Sequence, residues 1–197
     1  MEFRLIYDGR LPAQSRNNAR VSDKHRIRKV FHKQLAELWD KHPALQRYVQ
    51  LGIVKGVAAD FPRGNGFSFV PLVSQKYGGA FAALNILFLR RGNPGDLLRN
   101  QGDIDNRIKV LLDALKVPKY ASDLAEEEAP EEHEKPFYCL LEDDALITEI
   151  NITTDRLLWP VSDSADESKH PLNDVVLVIH VKTSVANRAA MWSEAFW

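Results

Sequence analysis

The residues best suited to chemistry lie in one stretch, from Gly102 to Leu115. Asp103 and Asp105 are separated by one residue, and Lys109 follows four residues after Asp105. On a helix, at about 100° per residue, Asp105, Lys109 and Asp113 share a narrow stripe beside an apolar face. Carboxylates and an ammonium at a helix start could hold a divalent cation and contact a phosphate. The same spacing also suits a helix cap and an ordinary surface ion pair, so both interpretations remain open.

A second acidic cluster, Glu142 to Asp144, follows an apolar run and precedes a predicted strand. Acidic residues are poor strand formers, so a purely structural role would be a turn. A functional role would be to bring another carboxylate to Asp103 and Asp105. Three neighbouring carboxylates raise one another's pKa values unless a cation neutralises them, and hard oxygen ligands suit Mg²⁺ or Mn²⁺. Such an ion can activate water for displacement at phosphorus.

Together these motifs resemble the RusA-type Holliday-junction resolvases. The shared pattern is an Asp-x-Asp-Asn-x-x-Lys helix, represented here by Asp103 to Lys109, and an Asp-Ala-Leu that begins at Asp113. A later acidic doublet, Asp143 and Asp144, leads into a strand. The metal ligands implied by the resemblance are Asp103, Asp105 and Asp144. The implied catalytic lysine is Lys109, and further candidates for the metal site are Asp143 and Asp113.

The resemblance also implies an activity. It is Mg²⁺-dependent hydrolysis of phosphodiesters in four-way DNA junctions, during DNA recombination and repair, with Mn²⁺ as the other suitable ion. The implied assembly is a homodimer, whose two active sites would address two symmetric strands. Two alternatives remain. One is a metal-dependent nuclease or phosphotransfer enzyme with another substrate, and the other is a non-catalytic DNA- or partner-binding protein on a resolvase scaffold.

The distribution of charge is uneven, although the formal net charge is only -1. Residues 1–120 carry 21 basic and 10 acidic side chains, whereas residues 121–150 carry one basic and 11 acidic. A basic surface binds DNA phosphates without regard to sequence, although a solvated helix face would show the same composition. The residues expected to contact DNA are Arg16, Arg20, Lys24, Arg26, Arg28 and Lys29.

Composition and hydrophobic spacing predict the fold. With 45% hydrophobic and 27% charged residues and one cysteine, the 197-residue chain is typical of a single cytoplasmic domain without an intrachain disulfide. Helices are predicted from about Ser22 to Pro43 and from Ile104 to Lys116. Strands are predicted over 3–7, 51–61, 67–73, 81–90, 146–154 and 175–181. The expected class is α+β, with a mixed sheet packed against two main helices.

Two further segments complete the expected organisation of the chain. Residues 119–136 are acidic and low in apolar content, which predicts an exposed, mobile insertion within the nuclease-like domain. Residues 184–197 are expected to form a C-terminal extension with a short helix from Ala186.

Overall fold

The computed structural model describes residues 1–14, 20–77, 79–91, 104–124, 129–158 and 174–186. Within these ranges the strands are β1 (Glu2–Arg10), β2 (Phe69–Val73), β3 (Ala80–Arg90), β4 (Phe137–Leu141), β5 (Ile147–Arg156) and β6 (Asp174–Val185). The helices are α1 (Val21–Lys41), α2 (Pro43–Gln50), α3 (Ile53–Asp60) and α4 (Ile104–Leu115). Helices and strands do not alternate regularly, and the predicted α+β class is confirmed.

The main sheet is mixed, as predicted, and contains four strands in the order β1, β6, β3 and β5. Strand β6 is antiparallel to β1 and β3, whereas β3 and β5 are parallel. A separate parallel pair joins β2 and β4. The register aligns Ala82 with Ile147 and Arg90 with Arg156, so β3 and β5 begin at the same edge of the sheet. The chain must return to that edge between these strands, and α4 lies in this connection.

Helix α1 supplies much of the core. Its apolar side chains Ile27, Phe31, Leu35 and Trp39 recur at helical spacing and are at most 1% exposed. They allow α1 to pack against α2, α4 and β4. Each fully buried side chain of this kind contributes roughly 1.5–3 kcal/mol relative to an exposed one. No helix in the described ranges combines the length and apolarity needed to cross a membrane.

The predicted strand over residues 51–61 is wrong, because this segment forms helix α3. Val54, Val57 and Ala58 are buried at helical spacing. A short apolar run does not distinguish a strand from a buried helix by composition alone. Gly52 has a φ of 72°, a left-handed conformation that glycine adopts without strain and that separates α3 from α2. Helix α2, which begins at Pro43, was not predicted.

The sequence predicted that the acidic segment 119–136 is exposed, but parts of it are buried. Leu124 is 1% exposed and Glu134 is 2% exposed. The backbone N–H of Glu131 donates to Glu134 Oε2 at 3.0 Å, and Lys29 Nζ lies 3.5 Å from Glu134 Oε1. The average composition of the segment does not indicate that Leu124 and Glu134 are buried, because acidic residues dominate it. The segment therefore packs on α1 at its C-terminal end, whereas residues 125–128 lie outside the described ranges.

The C-terminal prediction is tested only in part. Residues 184 and 185, assigned to an extension, instead continue strand β6. The helix expected beyond Ala186 lies outside the described residues.

His32 joins α1 to the acidic segment and to β4. Its ring is 1% exposed, Nδ1 accepts the Tyr138 N–H at 2.9 Å, and Nε2 lies 3.1 Å from the His133 carbonyl oxygen. The neutral ring with its proton on Nε2 satisfies both hydrogen bonds. Burial lowers the pKa of His32 below its ordinary value of 6.5. Protonation would add a buried charge and remove the acceptor for Tyr138.

We expect this histidine to make stability depend on pH. Because the pKa is lower in the folded state, the unfolded chain binds more protons once the pH falls below about 6.5. The free energy of unfolding should therefore decrease from pH 7.5 to pH 5.5. Urea unfolding at the two pH values should show a smaller decrease for His32→Gln than for the wild type. An identical decrease in both proteins would contradict this role.

Candidate functional site

Helix α4 carries most of the residues singled out by the sequence. Its apolar face is buried, with Ile108 at 7%, Leu111 at 0% and Leu115 at 1% exposure. This face orients the polar side chains of the helix away from the core. The sequence predicted the helix and its buried face correctly, because the apolar spacing there is unambiguous.

The N-terminal end of α4 is fixed by a buried arginine. Arg107 is 1% exposed, and its guanidinium donates to the Leu11 carbonyl oxygen. The Gln14 N–H donates to the Asn106 carbonyl oxygen at 3.1 Å. Burial, with the nearby charges of Arg90 and Arg20, lowers the pKa of Arg107. The start of the helix is thus held against the segment that follows β1.

Asp105 and Lys109 lie close to this fixed end and are both exposed. Their spacing of four residues places them on one side of the helix, one turn apart. In the described part of the chain, neither forms a hydrogen bond or an ion pair. Both charges therefore remain accessible to a ligand. Asp103, the third polar residue of the motif, lies outside the described residues.

The opposite end of α4 holds a network of charges centred on Asp113. Lys24 Nζ of α1 lies 2.7 Å from Asp113 Oδ2, and Lys116 Nζ lies 3.2 Å from Asp113 Oδ1. Lys116 Nζ is also 2.7 Å from Asp144 Oδ2. Burial disfavours the charge on Lys116, but its hydrogen bonds to the two carboxylates outweigh this effect and raise its pKa. The hydrogen bond from Lys116 correspondingly lowers the pKa of Asp144.

The acidic cluster 142–144 forms a turn before β5, which agrees with its structural interpretation. Glu142 Oε2 accepts the Gln75 N–H at 3.1 Å and the Ser74 hydroxyl. The Asp143 carboxylate accepts the Ala145 N–H at 2.9 Å and caps a single turn of 3₁₀-helix. Two of the three acids therefore stabilise backbone geometry, and Asp144 contacts Lys116.

Asp105 lies in the first turn of α4, whereas Asp144 contacts Lys116 just beyond its last residue. Asp105 precedes Asp113 by eight residues, which is about 12 Å along a helix axis. Asp144 contacts the Asp113 end, because it precedes β5 at the edge of the sheet where α4 finishes. Among the described residues no group of three or more His, Cys, Asp or Glu side chains could hold a metal ion. Asp103 lies outside the described residues, so the ligand set of Asp103, Asp105 and Asp144 stays a prediction.

The residues predicted to contact DNA are largely used inside the protein. Lys24 is 7% exposed and Arg28 is 2% exposed, because both lie on the face of α1 that meets α4. They do not belong to an exposed basic surface. Local spacing could not indicate this, because their partner, Asp113, is distant in the chain. Arg16 lies outside the described residues.

The other three basic residues are at least partly accessible but also have internal contacts. Arg20 Nε donates to the Ala13 carbonyl oxygen at 3.2 Å. Arg26 donates to the Tyr7 hydroxyl at 2.9 Å, and Lys29 lies 3.5 Å from Glu134. DNA contact by these side chains would compete with bonds that hold β1 and the acidic segment.

Sequence reasoning missed a cavity between α1 and the segment that follows α4. Its volume is about 230 Å³, and its polar walls come from Lys24, Arg28, Asp113, Lys116, Lys119 and Asp123. The spacing of Asp113 and Lys116 was the available signal, because residues three apart meet on a helix. The contribution of α1 could not be seen without the fold.

Comparisons with protein families, with curated proteins and with solved structures found no match.

Because Asp105 and Asp144 lie near opposite ends of α4, we expect their substitutions to affect Mg²⁺ binding differently. We expect Asp105→Asn to weaken Mg²⁺ binding, measured by isothermal titration calorimetry, and Asp144→Asn to leave it unchanged. The reason is that Asp105 is exposed and has no partner among the described residues, whereas Asp144 lies near the far end of the helix beside Lys116. Asp40→Asn, an exposed aspartate on α1, is the matched control. An equal loss of Mg²⁺ affinity in the Asp105 and Asp144 variants would contradict this prediction and would indicate that Asp144 is also a metal ligand.

Proposed function

We propose that this protein is a Mg²⁺-dependent DNA endonuclease that cleaves four-way junctions, as its resemblance to the RusA-type resolvases implies. The observation that supports this proposal best is the state of Asp105 and Lys109. Both are exposed at the fixed start of α4, and neither has a partner within the described residues. Paired charges of a purely structural kind would contact each other or a neighbour, as Lys116 and Asp144 do.

The proposed metal site needs fewer ligands than the resemblance implies. Mg²⁺ commonly uses one or two carboxylates, and water and substrate phosphates complete its coordination. Asp105 and its sequence neighbour Asp103 are the side chains we assign to this role. When bound, the ion would polarise the phosphate and lower the pKa of a water molecule.

Lys109 has a separate role in this proposal. Its ammonium, one turn beyond Asp105, would donate to a non-bridging phosphate oxygen and stabilise the negative charge that develops there. Asp144 is a positioning residue, because it contacts Lys116 rather than the start of α4. Substitution of Asp144 would therefore change activity by altering the position of α4.

Junction cleavage places two further requirements on the protein. Two symmetric strands must be cut, so we propose a homodimer with one site in each subunit. The partly or fully exposed Arg20, Arg26 and Lys29 would contact the DNA backbone, which makes binding depend strongly on salt. We propose the cytoplasm as the compartment, where such a substrate would be encountered.

A cleavage assay tests the proposal. Labelled four-way junction, linear duplex and single-stranded DNA would be incubated with Mg²⁺ or with EDTA. We expect Mg²⁺-dependent cleavage of the junction, and a loss of about 100-fold or more in Asp105→Asn and Lys109→Ala, as is typical when a group that stabilises transition-state charge is removed. Because both side chains are exposed, the melting temperatures should be nearly unchanged.

Matched surface variants serve as controls. Asp40→Asn and Lys33→Ala alter exposed residues of α1 and should cleave like the wild type. Absence of metal-dependent cleavage of every DNA would refute the nuclease proposal. Binding of the junction without cleavage would favour a non-catalytic DNA-binding protein, and equal cleavage of all substrates would favour a nuclease without junction selectivity.

A further inference from the structure

The cavity at the C-terminal end of α4 contains a buried cation that forms no ion pair with a carboxylate of the described residues. Arg28 lines this cavity and is 2% exposed. Its Nη2 donates to the Asp113 backbone carbonyl oxygen at 2.9 Å, and its Nη1 lies 3.4 Å from His25 Nδ1. Within the described residues, Arg28 Nε has no hydrogen-bond partner. Buried charges in proteins are normally paired, so this guanidinium requires an explanation.

The neighbouring carboxylates contact lysines more directly than they contact Arg28. The carboxylate of Asp113 is contacted on its two oxygens by Lys24 and Lys116, and Lys116 also contacts Asp144. These two lysines are therefore balanced by two carboxylates. Burial lowers the pKa of Arg28 to about 10, and the carboxylates of Asp123 and Asp113 offset only part of this effect. Both lysines thus have direct carboxylate contacts, whereas Arg28 forms no ion pair within the described residues.

The mouth of the cavity adds a second available cation. Lys119 is exposed, and its Nζ lies 5.5 Å from the centre of the Tyr120 ring. Asp123, the remaining acid of the wall, accepts the Tyr120 N–H at 3.0 Å. Buried Arg28 and exposed Lys119 thus line a cavity whose remaining carboxylate, Asp123, can balance only one of their two positive charges. This charge balance favours an anionic ligand.

We propose that this cavity binds a phosphate group. A guanidinium and ammonium groups converge on it, and phosphate offers more acceptor oxygens to such donors than a carboxylate does. The volume of about 230 Å³ lies below the roughly 300–1,000 Å³ of pockets that enclose drug-sized ligands. The cavity thus accommodates a phosphate group, and Tyr120, which is 59% exposed, leaves the rest of a larger ligand in solvent. This site lies at the opposite end of α4 from Asp105 and does not depend on nuclease activity.

Titration calorimetry with inorganic phosphate tests the proposal, with acetate at equal ionic strength as the comparison. We expect saturable binding of phosphate and no saturable binding of acetate. Lys119→Ala should weaken phosphate binding about tenfold, since a hydrogen bond to a charged group is lost, and Lys119→Arg should restore most of it. Lys33→Ala, which removes an exposed lysine from another part of α1, should have no effect.

Arg28→Met should abolish phosphate binding, and the Lys119 variants preserve the test if Arg28→Met does not fold. The source of the phosphate is distinguished by three probes: inorganic phosphate, a 5′-phosphorylated oligonucleotide and the same oligonucleotide without the terminal phosphate. Tighter binding of the phosphorylated oligonucleotide than of the other two indicates a terminal phosphate. Equal binding of the two oligonucleotides, reduced by Lys119→Ala, indicates a backbone phosphate. Phosphate binding that is equal in wild type and Lys119→Ala, or no saturable binding, would overturn the proposal.

Discussion

The carboxylate of Asp113 is the contact on which the arrangement of the candidate sites depends. Lys24 is almost fully buried, and an ammonium in that environment needs a close anion. Asp113 provides it at 2.7 Å and contacts Lys116 with its other oxygen. Because Lys24 belongs to α1 and Asp113 to α4, the ion pair joins two helices that also pack through apolar side chains. Lys116 extends the network to Asp144 and so to the beginning of β5.

This network gives the two ends of α4 different properties. At the C-terminal end, the carboxylates are occupied by lysines, and the surplus charge is the buried guanidinium of Arg28. At the N-terminal end, Arg107 anchors the backbone, and Asp105 and Lys109 are exposed. The proposed metal and phosphodiester chemistry therefore belongs to one end, and the proposed phosphate pocket belongs to the other. One helix would thus position two sites that recognise the same chemical group.

The spacing of apolar residues in the sequence predicted the elements that are determined by short-range periodicity. The apolar faces of α1 and α4 and the strand over residues 175–181 are examples, whereas the short apolar run of α3 was assigned to the wrong type of element. The relation between Asp105 and Asp144 could not be predicted, because it depends on the parallel pairing of β3 with β5. Nor could the sequence show that Lys24 and Arg28 are buried, since Asp113 lies far along the chain. Acidic composition similarly concealed the anchoring of Glu134 on α1.

A double-mutant cycle between Lys24 and Asp113 measures the central contact most directly. The free energy of unfolding in urea would be determined for the wild type, Lys24→Met, Asp113→Asn and the double variant. A buried ion pair between α1 and α4 predicts a coupling energy of at least about 1 kcal/mol, with the double variant less destabilised than the sum of the single variants. A coupling energy near zero would contradict the account, because Asp113 would then not hold α1 and α4 together.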